Sequence, residues 1–94
     1  MIKSFKCKET QKIFNREYTR KFPHFIQRSA MRKLWMINAA TEIKDLYIPP
    51  SNCLEKLIGK RKGEYSIRIN KQWRICFDWQ QNDAFGVEII DYHN

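Results

Sequence analysis

Two arginines and a C-terminal triplet are the residues whose types could do chemistry together. Arg68 and Arg74 flank a short polar connection, and alternation along two strands permits both to project from one face. Asp91, Tyr92 and His93 follow directly from a third apolar run. Guanidinium groups suit phosphate oxygens, and imidazole ordinarily titrates near neutral pH. The set indicates a phosphodiester site, and RNA fits it because Tyr92 can stack on an unpaired base.

Cleavage of RNA through its own 2′-hydroxyl needs three groups. One takes the hydroxyl proton, a cation stabilises the charged phosphorane, and a third group protonates the leaving oxygen. This chemistry requires no metal, and we expect neither a metal site nor a cofactor. Sequence alone does not assign the acid and the base. Cross-strand pairing of Arg68 and Arg74 with Glu64, Asp78 or Glu88, and a solvated terminal His93, remain alternatives.

The elements that must position these residues are read from periodicity. Residues 8–18 carry apolar side chains at helical spacing, and a second helix begins near Pro23 with Ile26, Ala30, Leu34 and Ile37 on one side. Residues 41–46 add a helical turn or lead into the loop at 49–52. Trp35 lies off the apolar stripe and could face a partner.

From residue 64 the apolar period changes to two. Alternation predicts strands over residues 64–70, 73–79 and 84–92, preceded by a short strand at 54–57 and an opening strand near Ile2 and Phe5. The fold class is therefore α+β: two N-terminal helices pack on one face of a small, mostly antiparallel, twisted sheet. We expect the other face to be free, basic and concave, and to hold the site.

Length and composition limit the possibilities. Ninety-four residues form one domain, 1–94, and 43% hydrophobic residues indicate a compact core. No apolar run could span a membrane or serve as a signal peptide, so the cytoplasm is the expected location. Cys7, Cys53 and Cys76 are predicted to be thiols, with Cys76 buried.

The net charge of +8 is unevenly distributed. Residues 1–33 carry ten Lys and Arg against two Glu, residues 56–74 carry seven against one, and the last twenty residues carry none. Clustered positive charge attracts polyanions, which favours nucleic acid or the ribosome surface, with an acidic protein second. A merely solvated basic face explains the charge equally well.

Three motifs carry a resemblance that covers nearly the whole chain. The motifs are residues 65–70 (YSIRIN), 72–77 (QWRICF) and 87–93 (VEIIDYH). In their order and spacing, the chain resembles the HigB toxins of bacterial toxin–antitoxin pairs, within the RelE-like superfamily. The start MIKSF, the Pro49-Pro50 turn and residues 54–59 also fall where that family has them.

The resemblance implies a ribosome-dependent endoribonuclease that enters the A site, cuts messenger RNA and inhibits translation. It also implies a HigA-like helix-turn-helix antitoxin, through which alone operator DNA would be bound. By matching position, Arg74 would stabilise the cleaved phosphate and Arg68 would support it. Asp91, Tyr92 and His93 would position the RNA and serve in proton transfer.

One position departs from the family pattern. Relatives commonly have a lysine where this chain has Ile58, and isoleucine cannot donate to phosphate. We expect the segment Lys60-Arg61-Lys62 to bind phosphate and Lys60 to compensate for the missing cation. Lys62 could supply the cation instead, or Arg68 and Arg74 could suffice. The alternative is a weakened nuclease, an RNA- or antitoxin-binding module acting mainly as a transcriptional co-repressor. A free-standing RNase is disfavoured because no second carboxylate and histidine pair is evident.

Overall fold

A computed structural model describes residues 1–92, and the predicted role of His93 falls outside them. The helices are α1 (Lys8–Phe14) and α2 (His24–Ala39), followed by short 3₁₀ helices at Ile43–Tyr47, Pro50–Asn52 and Gly59–Arg61. The strands are β1 (Glu55–Lys56), β2 (Glu64–Arg68), β3 (Trp73–Gln80) and β4 (Asp83–Asp91). This order confirms the predicted α+β class.

Helix α1 ends four residues before the predicted end at Tyr18. Arg16 adopts a left-handed backbone conformation with φ of 66°, which a helix cannot continue through. Trp35 explains the stop, since its Nε1 donates to the carbonyl of Phe14 at 3.0 Å and its ring lies 4.6 Å from the Arg16 guanidinium. Trp35 therefore holds the end of α1 within the fold, and the prediction that it faces a partner is not needed to explain it.

Helix α2 carries the predicted apolar stripe, and this prediction is confirmed. Its inward residues are at most 2% exposed and comprise Ile26, Ala30, Leu34 and Ile37. Pro23 precedes the first helical residue instead of lying in the first turn. The stripe packs on the apolar face of the sheet, which presents Ile67, Ile75, Phe77, Val87 and Ile89. No helix within residues 1–92 has the length and apolar character that a membrane crossing requires.

The four strands pair antiparallel in the order β1-β2-β3-β4. The opening residues bridge to β4 in parallel at Ile2–Ala84 and Phe5–Val87. Side chains add two further bonds to β4, from Gly86 N to Ser4 Oγ at 2.8 Å and from Ile89 N to Thr10 Oγ1 at 3.0 Å. Strand β4, which leads into the C-terminal triplet, is thus tied to both β3 and the N-terminal segment.

The sheet face opposite the helices differs from the prediction. It is not free and basic throughout, because Glu64 and Glu88 project from it. Arg61 Nη1 lies 3.1 Å from Glu64 Oε1 and 3.0 Å from Glu88 Oε2, and Lys6 Nζ lies 3.9 and 3.5 Å from the same two carboxylates. This ion-pair network neutralises one half of the face, so the basic site is confined to the other half.

The three cysteines are free thiols, and Cys76 is fully buried, as predicted. Burial in the sheet raises the pKa of the Cys76 thiol from 9.0 to about 11, against the opposing effect of the nearby Arg61 charge. Cys76 therefore stays protonated at neutral pH and acts as a small packing residue.

Candidate active site

Arg68 and Arg74 are directly opposite each other in the β2–β3 register. Residues paired in this way lie on the same face of an antiparallel sheet, which supports the predicted juxtaposition. Their environments differ, however: Arg68 is exposed, whereas Arg74 is only 5% exposed. One guanidinium is held within the protein and the other extends into solvent.

Three hydrogen bonds hold the buried guanidinium. Arg74 Nε donates to Ser66 Oγ at 2.8 Å, and Nη2 donates to the carbonyl oxygens of Cys53 at 2.6 Å and Ser66 at 3.3 Å. Nη1 donates a hydrogen bond to no acceptor within residues 1–92. Trp73 Nε1 is the one fully buried side-chain nitrogen or oxygen in that range without a partner. The three bonds fix the orientation of the guanidinium, and the two N–H groups of Nη1 have no acceptor among the described residues.

Tyr92 lies over this arginine. The Arg74 guanidinium carbon is 5.2 Å from the centroid of the Tyr92 ring, within the range of a cation–π contact. The backbone holds the ring there, because Tyr92 N donates to the Gln72 carbonyl at 2.6 Å. The Tyr92 hydroxyl donates to Glu55 Oε1 at 3.2 Å. Partial burial, and then the Glu55 charge, raise the pKa of Tyr92 above its ordinary value of 10.0.

Asp91 and Tyr92 point to different sides of the sheet. Asp91 is paired with Trp73, whose ring packs against Phe22 on the helix side at 5.7 Å between centroids. Its Oδ2 accepts from Gln72 Nε2 at 3.1 Å. The structure thus brings Tyr92, but not the Asp91 carboxylate, to Arg74. His93 lies outside the described residues.

A cavity of about 540 Å³ opens beside Tyr92. Its lining is partly basic and partly apolar, and consists of Glu55, Lys56, Leu57, Ile58, Lys60, Arg61 and Tyr92. Lys60 lines it, whereas Lys62 does not. Ile58 is 87% exposed at its rim. A volume in this range accommodates a small ligand, and cations beside an aromatic ring suit a nucleotide.

The structure adds three contributors that were not predicted from the sequence: Ser66, the carbonyl of Cys53, and Glu55. Ser66 had a signal, because alternation places it on the same face as Arg68 two residues away. Cys53 and Glu55 showed no such signal in the sequence. Cys53 acts through its backbone, and β1 is two residues long, too short to show a period. Tertiary packing alone brings them to Arg74 and Tyr92.

Comparison with known proteins identifies the family of this chain. Residues 3–93 match the HigB-like toxin family, described as the RelE-like toxin of the type II toxin–antitoxin system HigB. Toxin HigB-1 of Vibrio cholerae is 42% identical over 74 residues, which cover 79% of this chain and 77% of that protein. Endoribonuclease HigB of Proteus vulgaris is 36% identical over 93 residues, which cover 99% of this chain and 100% of that protein. The resemblance read from the motifs is confirmed, and the chain belongs to the HigB-like family of RelE-like toxins.

Proposed function

We propose that this protein is a ribosome-dependent endoribonuclease that cuts messenger RNA in the A site and so inhibits translation. One observation carries the proposal: a buried guanidinium held by three hydrogen bonds contacts the ring of Tyr92, and Tyr92 lines a cavity that Lys56, Lys60 and Arg61 also line. Family membership and the name of the Proteus vulgaris relative support the same activity.

The proposed reaction uses the RNA as its own nucleophile. A base removes the proton of the 2′-hydroxyl, the 2′ oxygen forms a bond to phosphorus, and the bond from phosphorus to the 5′ oxygen breaks. Arg74 Nη1 donates to the oxygen that becomes more negative in the phosphorane, which is where a fixed cation lowers the barrier. His93 is proposed to protonate the departing 5′ oxygen. The products are a 2′,3′-cyclic phosphate and a 5′-hydroxyl.

The remaining site residues are proposed to hold the RNA. The Tyr92 ring stacks on a base, since aromatic stacking tolerates any sequence. Arg68 contacts a neighbouring phosphate from its exposed position opposite Arg74. Lys60 binds a phosphate in the cavity, and Lys62 in the same segment adds positive potential nearby. Arg61 lines the cavity too, but its charge is paired with Glu64 and Glu88. The contact of Asp91 with Gln72 favours a role in positioning the C-terminal residues over one in proton transfer.

Membership of a type II family means that an antitoxin is a partner of this toxin. We propose that it is a HigA-like helix-turn-helix protein, that operator DNA is bound only through it, and that the toxin acts in the cytoplasm on ribosomes. The basic segments at residues 1–33 and 56–74 suit contact with ribosomal RNA.

Ile58 favours a second candidate function, a weakened nuclease that acts mainly as a co-repressor with its antitoxin. Its side chain is 87% exposed at the cavity and cannot donate to a phosphate. The fixed geometry of Arg74 favours the nuclease, because a binding module has no need of a buried guanidinium held in one orientation by three hydrogen bonds.

The test uses purified bacterial ribosomes carrying a short synthetic messenger RNA. The parent protein is expected to generate new 5′-hydroxyl ends, whereas Arg74→Ala is expected to generate them at least about 10² times more slowly, the usual cost of losing one charge-stabilising donor. Lys44→Ala removes one positive charge from an exposed position outside both basic segments and is the matched control. A messenger with a 2′-deoxy sugar at the cut site should resist cleavage.

Two results would remove the nuclease proposal. One is the absence of new ends from the parent protein, which would leave the co-repressor. The other is equal cleavage by the parent and Arg74→Ala, which would place the chemistry elsewhere. Cleavage of the 2′-deoxy messenger would overturn the proposed nucleophile.

A further inference from the structure

One of the bonds that hold the Arg74 guanidinium comes from a loop and not from the sheet. Two of its acceptors, the hydroxyl and the carbonyl of Ser66, belong to the neighbouring strand β2. The third acceptor is the carbonyl of Cys53, which Arg74 Nη2 contacts at 2.6 Å. Cys53 directly follows the 3₁₀ helix at Pro50–Asn52 and has a left-handed backbone with φ of 46°. The direction of its carbonyl therefore depends on the contacts that hold this loop.

Asn52, the residue before Cys53, is the buried anchor of the loop. Its side chain is fully buried, and its amide is bonded in two directions. Nδ2 donates to the carbonyl oxygens of Leu46 at 3.1 Å and Ile48 at 3.4 Å. Oδ1 accepts from the ammonium of Lys33, a half-buried residue of α2. Because a carbonyl only accepts and an ammonium only donates, a single orientation of the amide satisfies all three partners.

The loop links the helix layer to the opposite face of the sheet. Met36 of α2 adds a further contact, since its Sδ lies 3.1 Å from Asn52 Nδ2. Arg74 projects from the face that does not meet the helices, because alternation along β3 separates it from the core residue Ile75. Asn52 and Cys53 are adjacent in sequence but contact opposite sides of the fold. A shift of the Asn52 side chain therefore moves the carbonyl that holds the guanidinium.

We propose that Asn52 is a positioning residue for RNA cleavage, which fixes the loop so that the Cys53 carbonyl keeps Arg74 in its reactive orientation. The inference rests on the proposed function. Lys33 supports this role by holding Asn52 Oδ1. Without the anchor, Arg74 keeps only the two acceptors of Ser66, so the guanidinium is restrained from one side alone. Small displacements of a group that contacts the reacting phosphate slow the reaction strongly.

A purely structural role for Asn52 predicts a different pattern. If Asn52 only stabilises the native state, its replacement lowers the free energy of unfolding, but the folded protein cleaves at the parent rate. If Asn52 positions Arg74, the folded variant cleaves slowly. That slowing must also vanish when Arg74 is absent, because two changes that act through one group are not additive.

Two variants weaken the anchor to different extents. Asn52→Asp has nearly the same shape, but its carboxylate cannot donate to the carbonyls of Leu46 and Ile48. Lys33→Met keeps an unbranched side chain, removes only the ammonium and leaves the Nδ2 bonds in place. It decides the question if Asn52→Asp does not fold.

Each variant has a matched control. Asn38 Oδ1 accepts from the backbone N–H of Ile2 at 2.9 Å, so Asn38→Ala removes a partly buried amide bond that holds the N-terminal segment and not the loop. Lys44→Met removes an ammonium from an exposed position. Both controls should cleave at the parent rate when folded.

The first measurement is single-turnover cleavage of ribosome-bound messenger RNA, at a temperature where circular dichroism shows every variant to be folded. Asn52→Asp is expected to slow cleavage about tenfold at saturating protein, within the ~10² that misplacement of a catalytic group can cost. The protein concentration for half-maximal rate should change little. Lys33→Met should show the same pattern with a smaller factor. In the Arg74→Ala background neither change should slow cleavage further.

The second measurement does not depend on cleavage. Nuclear magnetic resonance of isotope-labelled protein records the guanidinium N–H signals of Arg74, which are identified by their absence from Arg74→Ala. A restrained guanidinium is expected to give separate Nη signals in the parent and in both controls. Asn52→Asp and Lys33→Met should merge these signals, because the group then rotates more freely.

The outcomes separate this inference from the function on which it rests. If the Arg74 signals of Asn52→Asp and Lys33→Met match those of the parent, Asn52 does not position the guanidinium and the inference is overturned. Equal slowing by Asn52→Asp in the parent and in the Arg74→Ala background overturns it as well. If the parent does not cleave, the proposed function falls, while the Arg74 signals still decide whether Asn52 orients the guanidinium.

Discussion

Ser66 Oγ accepts the hydrogen bond of Arg74 Nε at 2.8 Å, and both side chains are buried. Ser66→Ala leaves that nitrogen without an acceptor, which costs about 1–3 kcal/mol for a buried polar group. We expect the free energy of unfolding in urea to fall by this amount. Cleavage should slow as well, because the guanidinium loses one of three restraints.

The control for this change is Ser51→Ala, which removes an exposed hydroxyl from the neighbouring 3₁₀ helix. It should alter the free energy of unfolding by less than about 0.5 kcal/mol. Equal stabilities of the Ser66 and Ser51 variants would show that the Ser66 bond contributes nothing to the native state.

Lys60 and Lys62 carry the same charge in one segment, but only Lys60 lines the cavity. Lys60→Ala should reduce kcat/KM for cleavage about tenfold, the equivalent of one charge-assisted hydrogen bond of about 1.5 kcal/mol. It should also reduce the dependence of RNA binding on salt concentration by about 0.7 in the log–log slope. Growth inhibition on induction provides a second measurement.

Lys62→Ala is the matched variant and should retain most of the toxicity. If Lys60→Ala is as toxic as the parent while Arg74→Ala is harmless, compensation for Ile58 by Lys60 is wrong.

Arg61 is bonded to both Glu64 and Glu88, whose side chains are 18% and 17% exposed. Arg61→Ala leaves these carboxylates with Lys6 alone. The cost should lie between that of exposed and buried pairs, about 1–3 kcal/mol in the free energy of unfolding. Thermal and urea denaturation measure it, with Lys62→Ala as the reference. Identical stability of the two variants would contradict a structural role for Arg61.

Cys76 predicts a dependence of stability on alkaline pH. Burial raises its pKa from 9.0 to about 11, so the folded thiol stays neutral where the unfolded thiol ionises. The stabilisation is complete below pH 9 and is lost as the pH rises from 9 to 11, because the unfolded state then binds fewer protons. Cys76→Ala lacks this titration. The stability difference between parent and variant should change by about 2–3 kcal/mol over that interval, in favour of the variant.

Urea denaturation at pH 8 and pH 11 tests this expectation, since all other titrating groups are common to both proteins. If the free energies of unfolding of parent and variant change by the same amount between pH 8 and pH 11, the Cys76 thiol is not protected from ionisation.

Periodicity predicted the main elements from local signals. The two-residue alternation around Ile67, Ile75 and Phe77 predicted β2 and β3, and the apolar stripe predicted α2. A short connection between two clear strands indicated that Arg68 and Arg74 can share a face. These features could be predicted because each depends on neighbours in sequence.

The rest of the site depends on contacts between distant residues. Tyr92 meets Glu55 across 37 positions, and Arg61 meets Glu88 across 27. The prediction that the sheet face opposite the helices is free and basic was wrong for this reason, since the sequence does not reveal which cation neutralises which carboxylate. The end of α1 was misplaced because Trp35, 21 positions away, bonds to Phe14.

The bridges from the opening residues to β4 have a consequence for association. The outward amides of Ala84, Gly86, Val87 and Ile89 are occupied by the N-terminal segment. At the opposite edge, β1 offers only two residues. Across residues 1–92 the sheet thus has no long bare edge to template a strand from another chain. Copies of this protein are therefore protected from edge-to-edge aggregation through the described strands.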